Sequence, residues 1–199
     1  MYGKDKKGVA RPPLVETDGR LIAAGGGIYK ENTLNGTQFF ANALDMEVAL
    51  YTATSAIGII IYNPPLSGVN LVWNKWAAQV YATSAAMTGM VIAVGAQPTI
   101  PTTTTVASLT GSSLLKGSTS ASLDNSAAIA YSIATIIAPV LVWPLFHNTA
   151  AIAITGSEMT NGDLKGAFAS APGTCTVFGA LAAAGINVNL AIGWEEIPV

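Results

Sequence analysis

The chain has 199 residues, of which 51% are hydrophobic and only 10% are charged, and its net charge at pH 7 is -2. So small a net charge provides no long-range field to attract nucleic acid, and a single cysteine excludes an internal disulfide. Half of the charged residues lie within residues 1–31. The sequence therefore predicts a charged arm followed by an unusually uncharged body.

Residues 1–40 are predicted to form an extended N-terminal arm. Pro12 and Pro13 fix two φ angles and remove two hydrogen-bond donors, and no period of 2 or 3.6 persists around them. A segment without a core of its own is either disordered or becomes ordered by lying on a neighbour. For the second outcome, we predict attachment through a set of basic, proline and aliphatic residues. These are Arg11, Pro12, Pro13, Leu14, Val15, Leu21 and Ile22.

Residues 41–199 are predicted to be an all-β, jelly-roll-like β-sandwich. Short apolar stretches alternate with turn residues, and the turns include residues 63–68, with two prolines and a glycine, and the pair Asn161 and Gly162. Eight to ten strands without a convincing helix indicate two packed sheets. Eleven segments are the candidates for these strands: 48–54, 56–62, 69–81, 87–94, 106–109, 126–137, 140–146, 150–155, 166–170, 175–181 and 187–197.

The last of these strands has the clearest period of two. Val188, Leu190, Ile192 and Trp194 point one way, so the residues between them point toward water or a partner. The same alternation, applied to residues 69–81, places Trp73 and Trp76 on opposite faces of their strand. We predict that these two tryptophans pack in the core or contact another subunit or a ligand.

A membrane protein is not expected, although residues 126–146 contain no charge. This stretch contains Pro139 and Pro144 and is rich in Ile and Val, which suit a strand better than a helix. The longer uncharged stretch 76–115 contains Pro98, Pro101 and four consecutive threonines. Residues 1–20 alternate charges and prolines where a secretory signal has an apolar segment, so we expect synthesis in a cytoplasm.

No constellation of residues predicts catalysis. His147 and Cys175 are the only histidine and cysteine, and a core thiol with a histidine at the rim is favoured over a Cys–His pair. A metal site built from several His and Cys ligands is excluded because the chain has only one of each. Residues 158–163 do not have the spacing of an EF-hand. We therefore expect no enzyme activity, no cofactor and no metal site, and a hydrolase that uses His147 is the least favoured alternative.

Several segments resemble small structural proteins of tailed bacteriophages: ETDGRLI at 16–22, GIIIYNPPLSGVNL at 58–71, APGT at 171–174 and GWEEIPV at 193–199. The resemblance implies a virion component with a jelly-roll-like body, often a trimer, that is attached to a capsid or a tail. The expected function is that of a capsid decoration (cement) protein, which binds the major capsid protein or neighbouring virion proteins and stabilises the shell as a homotrimer. The expected location is the capsid surface, with neither nucleic acid nor membrane as a partner.

An alternative is a tail or head-fibre component that binds a host receptor or a carbohydrate. Trp73, Trp76 and Tyr81, with the threonines at 102–105, are the residues that suggest it. The low charge of the body favours assembly, because a monomer of this composition would expose apolar patches of the kind that mark interfaces.

Overall fold

The structure is a computed structural model that describes residues 3–4, 10–11, 38–52, 54–83, 87–102, 115–116, 126–152, 159–181 and 186–199. The chain divides into two compact units, Met1–Glu31 and Asn32–Val199. In the first unit, β1 (Gly3–Lys4) pairs antiparallel with β2 (Ala10–Arg11). Apart from Arg11, the predicted attachment residues of the arm lie outside the described residues.

The second unit is an antiparallel β-sandwich, so the predicted all-β fold is confirmed. None of the residues that the structure describes is helical. Two five-stranded sheets pack against each other. Their strands are β3 (Gln38–Val48), β4 (Ser55–Asn63), β5 (Val69–Thr83), β6 (Met87–Ala96), β7 (Leu115–Lys116), β8 (Ile129–Thr135), β9 (Leu141–Ile152), β10 (Met159–Ser170), β11 (Thr174–Ala180) and β12 (Ile186–Pro198).

Strand pairing is nested along the chain. β3 pairs with β12, β4 with β11, β5 with β10 and β6 with β9, all antiparallel. This is the pairing of one long hairpin whose two sides are β3 to β6 and β9 to β12. Contacts of β12 with β5 and of β11 with β6 fold the hairpin into two sheets, while β7 and β8 extend the sheet edges beside β3 and β4.

Charge is divided unequally between the two sheets. The sheet of order β10-β5-β12-β3-β7, which we call the charged sheet, contains every Lys, Arg, Asp and Glu that follows residue 31 except Asp124 and Glu158. The strands of the other sheet, of order β8-β4-β11-β6-β9, contain none of these residue types as the structure describes them. We call it the uncharged sheet.

The core lies between the sheets and is rich in aromatic contacts. The predicted alternation of β12 is confirmed, because Val188, Leu190, Ile192 and Trp194 are all buried. The ring of Trp194 lies 5.5 Å from that of Trp73, between centroids, and stacks on the ring of Phe39 at 6.1 Å. Burial of large aromatic rings in tilted and edge-to-face contacts contributes strongly to the stability of such a core.

A β-bulge in β5 corrects the predicted orientation of its tryptophans. Opposite β12, Gly193 pairs with Lys75 and Trp194 pairs with Trp73, so Asn74 is an extra residue in β5. An inserted residue shifts the alternation of side chains by one position. Trp73 and Trp76 therefore both belong to the core, and the prediction that they occupy opposite faces is wrong.

The two predicted turns had different outcomes. The turn at 63–68 is confirmed, because β4 ends at Asn63, β5 begins at Val69 and Gly68 has a positive φ of 71°. The turn predicted at Asn161 and Gly162 is wrong, since both residues pair with β5 inside β10. The irregularity in β10 lies further on, at Lys165 and Gly166, where φ is positive at both positions.

The uncharged sheet is buried on its outer face as well as against the core. Residues 136–140 join β8 at one edge to β9 at the opposite edge, so they cross this outer face. A Cβ added to Gly95 on β6 would lie only 3.0 Å from the Cα of Pro139. Burial on both faces explains the uninterrupted apolar run in β4, where Ile59, Ile60, Ile61 and Tyr62 are all buried. The predicted strand at 106–109 lies outside the described residues.

Candidate binding site on the charged sheet

Strand register fixes a grid of side chains on the outward face of the charged sheet. One row runs from Phe40 on β3 through Gly193 on β12 and Lys75 on β5 to Asp163 on β10. The two rows that follow consist mainly of amide and small side chains: Asn42, Ala191, Ala77 and Asn161, then Asn189, Gln79 and Met159. Small residues therefore occupy the centre of the face, and longer side chains surround them.

Two adjoining depressions occupy this face, with volumes of about 430 Å³ and about 170 Å³. Both are lined by Ala77, Ala191 and Met159, so they form one continuous feature, which we call the outer groove. The larger depression also includes the whole row that contains Phe40 and Lys75. The smaller one adds the amide residues Asn42, Gln79 and Asn189.

Phe40 is the exposed aromatic residue of the groove, with 40% of its surface accessible. Its ring leans over Gly193, because a Cβ at that position would lie 2.8 Å from Cε1 of Phe40. Any larger residue at 193 would displace the ring. Glycine in this central strand thus permits an aromatic side chain to lie close to the sheet while part of it stays accessible.

Amide groups bond to one another at the groove and beside it. Asn189 Nδ2 donates to Gln79 Oε1 at 3.0 Å, across β12 and β5. Asn74, the bulge residue, donates from Nδ2 to Gln38 Oε1 at 3.0 Å, and both of these side chains are buried. Amides that are held by hydrogen bonds keep a defined orientation, because each carries both donors and acceptors.

Glu195 and Glu196 point to opposite faces, as adjacent strand residues must. Glu196 Oε1 accepts hydrogen bonds from Ser126 Oγ at 2.5 Å and from the Ala127 N–H at 3.1 Å, which ties β12 to the residues before β8. Glu195 is half-buried on the same face as the outer groove, and burial raises the pKa of its carboxyl above the ordinary value.

On the other side of the sandwich, large apolar side chains are exposed. Ile137 and Val140 belong to the crossing segment, and Ile100 precedes Thr102, which pairs with Thr135. We call these three residues the apolar patch. Val140 is 86% exposed and directly precedes β9, an edge strand of the uncharged sheet.

The geometry does not bring together a Cys–His pair. On β6, His147 pairs with Gly89 and Cys175 with Gly95. Six residues of strand span about 20 Å, so the backbone positions are far apart. Cys175 is buried, as predicted, and burial raises the pKa of its thiol to about 12. A thiol that stays protonated at neutral pH is a poor nucleophile.

Polar groups inside the sandwich have structural roles. Trp73 Nε1 donates to Ser170 Oγ at 2.8 Å, and Ser170 Oγ lies 2.6 Å from Thr176 Oγ1 on the opposing sheet. Asn63 Nδ2 donates to the carbonyl oxygens of Val69 and Ser170. These bonds link the two sheets beside the turn at 63–68.

The two predicted contact tryptophans differ slightly in exposure. Trp73 has no exposed surface, so it cannot contact a ligand or another subunit in the folded protein. Trp76 is 6% exposed and borders the outer groove, but its ring stacks on that of Phe146 inside the sandwich. The side chain of Tyr81 and residues 103–105 lie outside the described residues.

In the described part of the chain, no group of three or more His, Cys, Asp and Glu side chains could hold a metal ion. No helix in that part is long and apolar enough to cross a membrane. In comparisons with known proteins, no family matches the chain, no curated protein is similar to it in sequence, and no solved structure matches its fold.

Phe40 was not predicted from the sequence, whereas the part of the groove that β12 forms was. The outward residues of β12, including Asn189, Ala191 and Gly193, were expected to face water or a partner. The predicted arm, residues 1–40, includes Phe39 and Phe40, although two adjacent aromatics in a strand point to opposite faces. That alternation was the available signal, because Phe39 is buried and Phe40 is exposed.

Proposed function

We propose that this chain is a structural virion protein of a tailed phage, most specifically a capsid decoration protein that stabilises the shell as a homotrimer. The observation that carries the proposal is the apolar patch on the side of a sheet whose strands lack charged residues. Interface cores are depleted in charged residues in the same way. The phage assignment itself rests on the sequence resemblance.

The proposed occupant of the apolar patch is a second copy of the chain. Between Asp124 and Glu158 the sequence has no Lys, Arg, Asp or Glu, and the described strands of the uncharged sheet have none, so the described part of this side offers no charge to a charged partner. Copies of the chain offer each other equally uncharged surfaces, and a contact between two different surfaces, repeated from copy to copy, closes into a ring when the rotation between copies allows it. In a ring of three, each copy would cover the exposed aliphatic side chains of its neighbour.

The nested strand pairing supports a jelly roll as the fold of the body. Rolling one long hairpin of four strand pairs produces two sheets with alternating membership, which is the arrangement seen for β3 to β6 and β9 to β12. In the proposed particle, this body stands on the capsid surface. The charged arm then contacts the major capsid protein or a neighbouring virion protein.

The assembly surface is tested by Val140→Glu and Ile137→Glu. Both side chains are exposed, so a carboxylate is tolerated in the monomer but is unfavourable in an apolar interface. We expect light scattering to show trimers of the parent chain and monomers of the variants, with unchanged circular dichroism. Leu66→Glu is the control, because Leu66 is 98% exposed at the turn between β4 and β5. Trimers that survive both patch variants would contradict this interface.

Attachment through the arm is tested by deletion of residues 1–27. The second compact unit begins at Asn32, so we expect the truncated chain to fold and to form trimers. We also expect it to lose binding to phage particles that lack the protein, measured by co-sedimentation. Retained binding would move the attachment surface to the body.

A further inference from the structure

We propose that the outer groove is a binding site for a neutral oligosaccharide. This inference goes beyond the proposed structural role and involves the charged sheet, whereas the assembly surface lies on the uncharged side. The larger depression of the outer groove has a volume of about 430 Å³, which falls within the range of small-molecule sites. The smaller depression extends it along the strands, so the site fits a short chain of sugar units.

The floor of the groove gives a ligand access to the sheet. Ala191 and Ala77 pair with each other across β12 and β5 and leave space above them, whereas Gly193 beside them lies under the ring of Phe40. Phe40 borders this floor and keeps part of its ring exposed. The C–H groups on one face of a sugar ring pack favourably against an aromatic face, which has a negative electrostatic potential.

The polar groups around the floor match hydroxyl groups. Asn42, Gln79, Asn161 and Asn189 provide amide donors and acceptors along the groove. A hydroxyl group both donates and accepts a hydrogen bond, so a ring of amides suits a ligand with many hydroxyls. The hydrogen bond between Asn189 and Gln79 fixes two of these amides before a ligand arrives.

Charge and topology disfavour other ligand classes. Lys75 and Asp163 face each other in register across β5 and β10, so their charges balance in the groove. An anionic ligand or a nucleic acid requires an excess of positive charge. The groove also lies over the face of paired strands, where no backbone groups are available to add an extended peptide as a further strand.

The test is binding of the full-length protein to an array of oligosaccharides, followed by titration calorimetry. The probes are trisaccharides of glucose, galactose, mannose and N-acetylglucosamine, with sialylated and uronate-containing glycans for comparison. We expect at least one neutral trisaccharide to bind. Ala191→Tyr fills the floor and should weaken that binding at least about tenfold.

Ala169→Tyr is the matched control, since Ala169 is an exposed alanine of the same sheet that lines neither depression. It should leave binding unchanged. Phe40→Leu is a second variant, which keeps an apolar side chain over Gly193 but removes the ring, and it should also weaken binding. Circular dichroism confirms that each variant is folded.

The proposal is overturned if no neutral trisaccharide binds, if only the charged glycans bind, or if binding persists in both Ala191→Tyr and Phe40→Leu. A trimer that binds no sugar would refute this inference alone and leave the proposed structural role standing. A monomer that binds a neutral trisaccharide in the groove would refute the proposed structural role and leave this inference standing.

Discussion

Gly193 and Phe40 show how one small residue determines the chemistry of a neighbouring side chain. Because Gly193 has no Cβ, the ring of Phe40 lies over β12 and becomes the aromatic border of the outer groove. On the inward side, Gly162 does the same for Trp76, whose Nε1 lies 2.5 Å from where a Cβ would be. Both positions require glycine because an aromatic ring packs so closely against the strand that no side chain fits there.

Glu195 provides a prediction for the dependence of stability on pH. Burial raises its pKa above the ordinary value of 4.5, so the folded state holds this proton more tightly than the unfolded chain. The free energy of unfolding therefore falls as the pH rises from below the pKa of Glu195 in the unfolded chain through its higher pKa in the folded protein. We expect Glu195→Gln to have a higher melting temperature than the parent at pH 7, and the difference to disappear below about pH 4.

Melting curves at both pH values, recorded by circular dichroism, check this expectation. A gain in stability that is the same at both pH values would show that loss of the charge is not its cause. A loss of stability at pH 7 would show that the carboxylate makes a net favourable contact in the folded protein.

Among the strands, β12 was the easiest to predict and β5 the hardest. Every second residue of β12 is apolar, so the buried face could be identified from sequence. β5 contains a bulge at Asn74, and its sequence does not reveal which residue is the extra one. The bulge is defined only by pairing with β12, more than a hundred residues further along the chain.

β10 shows why a turn signal can fail. Asn-Gly is a strong sequence signal for a tight turn when it joins two strands that pair with each other. Here Gly162 has no positive φ and pairs with Trp76, so its role is to let the indole pack against the strand.

The outer groove was also predictable only in part. The sequence predicts the outward face of β12, whereas the residues that β3 and β10 contribute depend on long-range strand pairing.

Gly162→Ala tests this interpretation of β10. The added Cβ would overlap the indole of Trp76, which must shift and thereby disturb its stacking on Phe146. We expect a loss of about 1–3 kcal/mol in the free energy of unfolding, measured with denaturant. In a Trp76→Leu background the same change should cost clearly less. An equal cost in both backgrounds would contradict a role in packing against the indole.

Across the whole molecule, the unequal distribution of charge connects sequence, fold and proposed function. The low charge of the body is compatible with lipid, with assembly or with a surface solvated by hydroxyls and amides, and the strands separate charged residues from uncharged ones by sheet. The charged sheet presents amides and the outer groove, while the uncharged side presents the apolar patch. The two proposed partners, a hydroxyl-rich ligand and a second copy of the chain, would therefore occupy different surfaces.

The mass of the full-length protein in solution tests the central claim of assembly most directly. Light scattering after size-exclusion chromatography, at several micromolar concentrations, should give three times the chain mass of 20.3 kDa. Dilution within that range should leave the mass unchanged if the apolar patch is covered in a closed ring. A stable monomer at every concentration would contradict the account.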